Sequence, residues 1–181
     1  MSYEDELKIS EAATKDTYVG LLLYYRDCDL YAGLIAKYKI NQIVKEKGLT
    51  DVSSFAEGLG KNLRFAIASN KAVDMAKINP DVAKYGFNLI KQPSYYKVLD
   101  VYTVGDKTQI TLLNFNVEFV NYIKNTTHSI DKEIVKLARN RFDRYLKMKP
   151  NEFLYDGNWL ARTKFPIGMS DYGLFFNPEN E

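Results

Sequence analysis

The chain of 181 residues holds one cysteine, Cys28, and one histidine, His128. A single cysteine excludes an internal disulfide and fits a reducing compartment. One cysteine and one histidine are too few for a zinc site, which takes several such ligands. Histidine acid–base catalysis is confined to His128, which follows the turn-like stretch Asn125-Thr126-Thr127 and is expected to be a solvated loop residue. Long hydrophobic runs are missing as well. The longest, Tyr18 to Tyr25, stops at Arg26, far short of the roughly 20 apolar residues that span a bilayer. The first residues, Met1-Ser2-Tyr3-Glu4-Asp5-Glu6, are acidic where a signal peptide is basic. No internal repeat or low-complexity stretch is visible. These absences lead to the expectation of a soluble, cytoplasmic protein with no metal, no cofactor and no membrane contact.

What is present is ordinary in bulk and uneven in detail. The chain is 46% hydrophobic and 27% charged, which suits one globular domain able to bury about two-thirds of its unfolded surface. Tyrosine is abundant, with 14 residues beside 10 Phe, so core and interfaces lean on aromatic area. Charge is local. Lys124 to Lys164 contains ten Lys/Arg against five Asp/Glu, whereas the first ninety residues hold twelve of each. Residues 1–16 and Ser170–Glu181 are each acidic by three charges, so either end has the sign needed to neutralise the basic stretch.

Periodicity predicts a mostly helical chain. Residues 2–15 have helix formers with acids near the start, where the helix dipole favours them. In 16–47, Val19, Leu22, Leu23, Leu30, Leu34, Ile35, Tyr38 and Ile43 fall near a 3–4 spacing, and Gly48 is a stop. Further helices are expected at 50–59, 61–77 and, capped by Asn79-Pro80, up to about 91. The character changes at Tyr95. Tyr96–Val104 and Lys107–Phe115 are β-branched and aromatic around the turn Gly105-Asp106, a hairpin pattern. A basic helix is expected over 129–149, stopped by Pro150. The fold class is therefore α+β, predominantly helical: a helical bundle-like body over 1–150 with one hairpin at about 95–115, then an irregular aromatic C-terminal segment over 151–181 that packs on the body or on a partner.

No catalytic motif stands out. Gly58-Leu59-Gly60-Lys61 fails as a phosphate loop, because Phe55 stands where the first glycine is needed and Asn62 where Ser or Thr is needed. Asp27 and Asp29, read as helical, point apart and make a poor metal pair. On the basic helix, Lys132, Lys136, Arg139 and Lys147 share the face opposite Ile130, Ile134, Leu137, Ala138, Phe142 and Tyr145. Arg141 lies in the middle of the apolar face and is expected to find a carboxylate within the fold. Lys132, Lys136, Arg139, Arg144, Lys147, Arg162 and Lys164, with Trp159 as a stacking ring, are the candidate anion- or nucleic-acid-binding residues. Tyr155, Phe165, Tyr172, Phe175 and Phe176 are the candidate partner contacts.

By subtraction, the expected function is a non-enzymatic binding protein. It would be an accessory or inhibitory subunit acting by protein–protein contact, in a hetero-assembly or as a homo-oligomer. Direct nucleic-acid binding through the basic helix is the alternative. An enzyme with a carboxylate-based site that the sequence does not single out is the second.

Overall fold

A computed structural model describes residues 1–176. Helix α1 (Tyr3–Tyr18) begins with a capping box in which Ser2 and Asp5 bond each other's backbone N–H. Eight strands follow: β1 (Leu22–Cys28), β2 (Ile43–Glu46), β3 (Thr50–Ser53), β4 (Leu63–Ser69), β5 (Val73–Asp74), β6 (Phe87–Ile90), β7 (Ser94–Val104) and β8 (Lys107–Phe115). A one-turn helix α2 (Ala32–Ile35) lies between β1 and β2. Helices α3 (Val120–Asn125), α4 (Ser129–Tyr145) and α5 (Gly157–Thr163) come after the sheet.

The strands form one sheet in the order β2-β7-β8-β4-β1-β3-β6-β5. Only β4 and β8 run parallel, from Leu63↔Thr108 to Ala68↔Leu113; all other pairs are antiparallel. Strand β1 pairs with β4 along its whole length but meets β3 only at Tyr25↔Ser53. The sheet thus divides into a five-stranded and a three-stranded part at that single residue pair.

Both faces of the larger part are covered, so its strands do not alternate in polarity. Tyr24, Phe65, Ile67, Tyr96, Val98, Ile110 and Leu112 face α2 and the C-terminal segment, where Ile167 and Met169 are buried. Leu23, Tyr95, Leu99, Leu113 and Phe115 face α1, α3 and α4. Alanines at 66 and 138 lie in one cluster with Tyr25, and their small size lets α4 come close to β4. Gly58 forms a backbone bridge with Pro150, and a Cβ there would collide with the Met148 carbonyl. Glycine at 58 is what allows the chain after α4 to return to the sheet. Gly105 turns the β7–β8 hairpin at φ 61°, a conformation glycine adopts freely.

The expected helical bundle with a single hairpin is overturned by this eight-stranded mixed sheet. Residues 16–47 hold β1, α2 and β2 instead of a long helix. A strand buried on both faces is apolar throughout, so it fills a 3–4 template as readily as a helix does. Residues 50–59 and 61–77 hold β3, β4 and β5. The alanines of β4 that suggest helix are close-packing residues. Residues 80–85 form a 3-10 helix capped by Asn79, after which β6 begins. The hairpin and α4 stand where expected, with α4 ending at Tyr145. Residues 151–176 pack against the body and bury Trp159, Ile167 and Met169. The acidic end beyond 176 lies outside the described residues. No helix among the described residues is long and apolar enough to cross a membrane.

Candidate functional site

A groove of about 700 Å³ opens where β1, β3 and β6 meet near α4. Five elements supply its polar groups, and each is held by its own local structure.

Asp74 ends β5 and caps the 3-10 turn Met75–Lys77: one carboxylate oxygen accepts the Ala76 N–H at 3.0 Å. Its other oxygen takes no hydrogen bond from the described residues. Lys77 ends the same turn and has no ion-pair partner among them. Tyr24 of β1 lines the groove beside them, and burial, helped by the Asp74 carboxylate, pushes its phenol above the usual tyrosine range. It stays protonated and is a donor at neutral pH. Asn88 of β6 fixes its amide by donating to the Gly86 carbonyl at 2.9 Å. Phe55, following β3, is 44% exposed and offers a ring face at the rim.

Arg141 of α4 completes the set. Its only hydrogen bond among the described residues is from Nη1 to the Tyr25 hydroxyl at 3.3 Å. No carboxylate lies within 4 Å of it among the described residues. The expectation of a buried internal counter-ion therefore fails: the apolar face of α4 ends at a groove, and Arg141 lines that groove. A guanidinium carries five N–H donors, and four of these remain for a ligand.

The remaining acids named from the sequence are spoken for. Asp27 of β1 takes a bidentate pair from Arg64 of β4 at 2.6 and 2.8 Å, whereas Asp29 pairs with Lys61 at 3.1 Å. No three His, Cys, Asp or Glu side chains gather into a possible metal site among the described residues. His128 is the N-cap of α4, accepting the Ile130 N–H through Nδ1 and stacking on Tyr18 at 4.7 Å. Cys28 is buried, and burial pushes its thiol up to about 12.

The anion-binding candidates do not form one surface. Lys132, Lys136, Arg144 and Lys147 are exposed along and just after α4. Arg139 is held by Asp100 of β7 at 2.8 and 2.7 Å and lies over the Tyr102 ring. Trp159 is 2% exposed, stacked on Tyr85 at 5.5 Å and edge-on to Phe87 and Phe153. Arg162 reaches Asp51 at 3.4 Å and covers Phe87; Lys164 covers Phe165. Of the aromatic partner candidates, Tyr155, Phe165 and Tyr172 are exposed, Phe175 packs on Tyr38, and Phe176 lies under Lys47. No sequence spacing brings the groove residues together. Arg141, a cation inside an apolar face, was the one visible signal; Asp74 was hidden in a stretch read as helix.

The fold and site define a chain with a mixed eight-stranded sheet and a polar groove at the point where that sheet divides. No family model and no curated protein matches it. Among solved structures it is similar to the ADP-ribosyltransferase Vis in complex with agmatine, at 14% identity and TM-score 0.44 over 65% of this chain and 60% of that one. It is also similar to exoenzyme S from Pseudomonas aeruginosa, bound to human 14-3-3 protein beta and carba-NAD (12%, TM-score 0.44, 62% and 59%). A third is C3stau2 from S. aureus with NAD (13%, TM-score 0.44, 64% and 73%). The chain spans about half to 60% of the length of several of these structures. At such identities and TM-scores none of them places the chain in a family or hands it an activity.

The eight-stranded mixed sheet leaves no helical bundle body for the expected accessory or inhibitory subunit. That expectation is withdrawn. The nucleic-acid alternative goes with it: Trp159 is closed off by Tyr85 and Phe87, and Arg139 is already matched by Asp100.

Proposed function

We propose that the protein is an enzyme that binds a small anionic substrate in the groove and acts on it through the Asp74 carboxylate. The observation that supports this reading is the pairing of Arg141, a guanidinium without an internal counter-ion, with a carboxylate that keeps one oxygen free in the same groove. Leaving a cation half-buried without a partner costs stability, and an anionic ligand offsets that cost. Arg141 and Lys77 hold the anionic group of the substrate, as cations hold phosphate. Asp74 accepts a proton from the attacking hydroxyl, amine or water, or faces positive charge that develops at the reacting carbon. Tyr24 donates a hydrogen bond to the departing or polarised oxygen. Asn88 orients, and Phe55 covers a planar ring. The reaction class is carboxylate-assisted group transfer or hydrolysis.

NAD⁺ is the first probe, because it combines a pyrophosphate, planar rings and a cleavable glycosidic bond; ADP and inorganic pyrophosphate are the other two. Thermal shift at low salt is expected to show stabilisation by at least one of them, and Arg141→Gln is expected to weaken that binding at least tenfold. Nicotinamide release from NAD⁺ reads the chemistry. Asp74→Asn is expected to keep binding and to lower turnover by about 10²–10⁴, the usual contribution of a positioned acid or base. The reading is lost if none of the three probes stabilises the protein, or if Asp74→Asn turns over as wild type does.

A further inference from the structure

Helix α1 overhangs the body. Of its sixteen residues only Ala13, Thr17 and Tyr18 are buried, all in the last two turns. Ser10, Thr14 and Thr17 lie on the stripe that meets the body, and Ser10 donates to the Tyr122 hydroxyl of α3 at 3.0 Å. Three- and four-residue steps continue that stripe back to Leu7 and Tyr3. Nothing in the described residues covers them: Tyr3 is 79% exposed and Leu7 47%. About 10 Å of helix, at 1.5 Å per residue, therefore carries an apolar stripe past the edge of the body. Glu4 and Glu6 flank the stripe, and both are exposed.

Helix α4 presents the opposite chemistry. Lys132 and Lys136 are exposed on either side of Glu133, next to Leu137, which is 44% exposed. Neither lysine has a carboxylate within 4 Å among the described residues, whereas their neighbour Arg139 is matched by Asp100. The base of α1 is fixed to the first turn of α4 by the Tyr18 hydroxyl, which donates to Asp131 at 2.7 Å. Neither Glu4 nor Glu6 pairs with a lysine of its own α4 among the described residues.

We infer that the overhanging half of α1 docks on the Lys132–Lys136 side of α4 in a second copy of this chain. Tyr3 and Leu7 meet Leu137, while Glu4 and Glu6 meet Lys132 and Lys136. A two-fold axis repeats the contact, α1 on α4 and α4 on α1. The repeat is required, since one two-turn contact is smaller than a stable interface. Exposed ion pairs weaken with salt, so the dimer is salt-sensitive.

Sedimentation velocity on the full chain tests this. A dimer is expected in 50 mM salt, with a dissociation constant at least tenfold larger in 500 mM salt. Leu7→Asp is expected to give monomer. The double change Glu4→Lys with Glu6→Lys leaves the Ser2–Asp5 capping box intact and is also expected to give monomer, as is Lys132→Glu with Lys136→Glu. Mixing the two charge-reversed proteins is expected to restore a heterodimer. Far-UV circular dichroism confirms that helix content is retained in each variant. A wild-type protein that is monomeric at low salt across the concentration range overturns the inference. So does a dimer that none of the substitutions disturbs, or a mixture that stays monomeric.

Discussion

Two arginine–aspartate pairs show how differently this molecule uses one kind of bond. Arg64 and Asp27 join β4 to β1 with side chains 2% and 3% exposed. Arg139 and Asp100 join α4 to β7, with the aspartate 3% exposed but the arginine 44% exposed. Both are bidentate. The inner arginine also donates to the carbonyls of Glu57 and Gly58, so nearly all its donors are used and the pair anchors the loop against which Pro150 returns. The outer arginine lies over the Tyr102 ring and keeps an edge in water. The inner pair is fully committed to the fold. The outer one clamps a helix to a sheet and removes a charge from a surface that otherwise reads as basic.

Breaking the inner pair has the largest expected effect. Arg64→Met leaves Asp27 buried with no counter-ion and only the Gly60 N–H as a partner, and urea unfolding followed by the fluorescence of Trp159 is expected to show a loss of about 3–5 kcal/mol. Arg64→Met with Asp27→Leu removes both charges and is expected to recover most of it. A loss below about 1 kcal/mol in the single variant makes the two pairs equivalent and removes the contrast. Arg139→Ala is next, at about 1–2 kcal/mol, because Asp100 loses its partner but sits where water reaches the vacated space.

Asp51 sharpens the comparison from a third side, since its pair with Arg162 is looser at 3.4 Å. Burial raises its carboxyl above the usual aspartate range, and Arg162 and Arg26 only partly oppose this. A raised folded pKa favours the protonated fold. The stability it contributes is present below the unfolded value near 3.8 and is lost as pH rises through the folded value. Asp51→Asn is therefore expected to be more stable than wild type at pH 7, with the advantage vanishing toward pH 3; equal melting at pH 7 contradicts the raised carboxyl. The smallest effect is at Lys132, where Ala is expected to change stability by less than about 0.5 kcal/mol.

The contrast between the two arginines also explains what the sequence reveals. Helices α1 and α4 and the β7–β8 hairpin are legible because one side of each faces water or a turn fixes it: Ser2 and Asp5 cap α1, Gly105-Asp106 closes the hairpin, and α4 alternates Ile134, Ala138 and Phe142 with lysines. Strands β1 and β4 are illegible for the opposite reason. Leu23-Tyr24-Tyr25 and Phe65-Ala66-Ile67-Ala68 pack into clusters on both faces, so no polar residue marks their period. Arg64 and Asp27 do interrupt them, but their meaning depends on a pairing across 37 residues. The groove is hidden likewise. Asp74, Asn88 and Arg141 come from β5, β6 and α4 and have no common spacing. Only Arg141, misplaced on an apolar helix face, announced a special environment.

The parallel contact between β4 and β8 has a consequence for how the chain is made. Synthesis runs from the N-terminus, and β1 can zip onto β4 once residue 69 has emerged. The second edge of β4 has no partner until residues 108–113 are out. For some forty residues of translation, an apolar strand stands with its backbone donors and acceptors open on one side, the kind of edge on which nascent chains stick to one another. The hairpin that brings β8 closes over only two residues, so the delay is set by the ribosome and not by the search. Slowing elongation between codons 70 and 108 is thus expected to lower the soluble yield of this protein without changing a single residue.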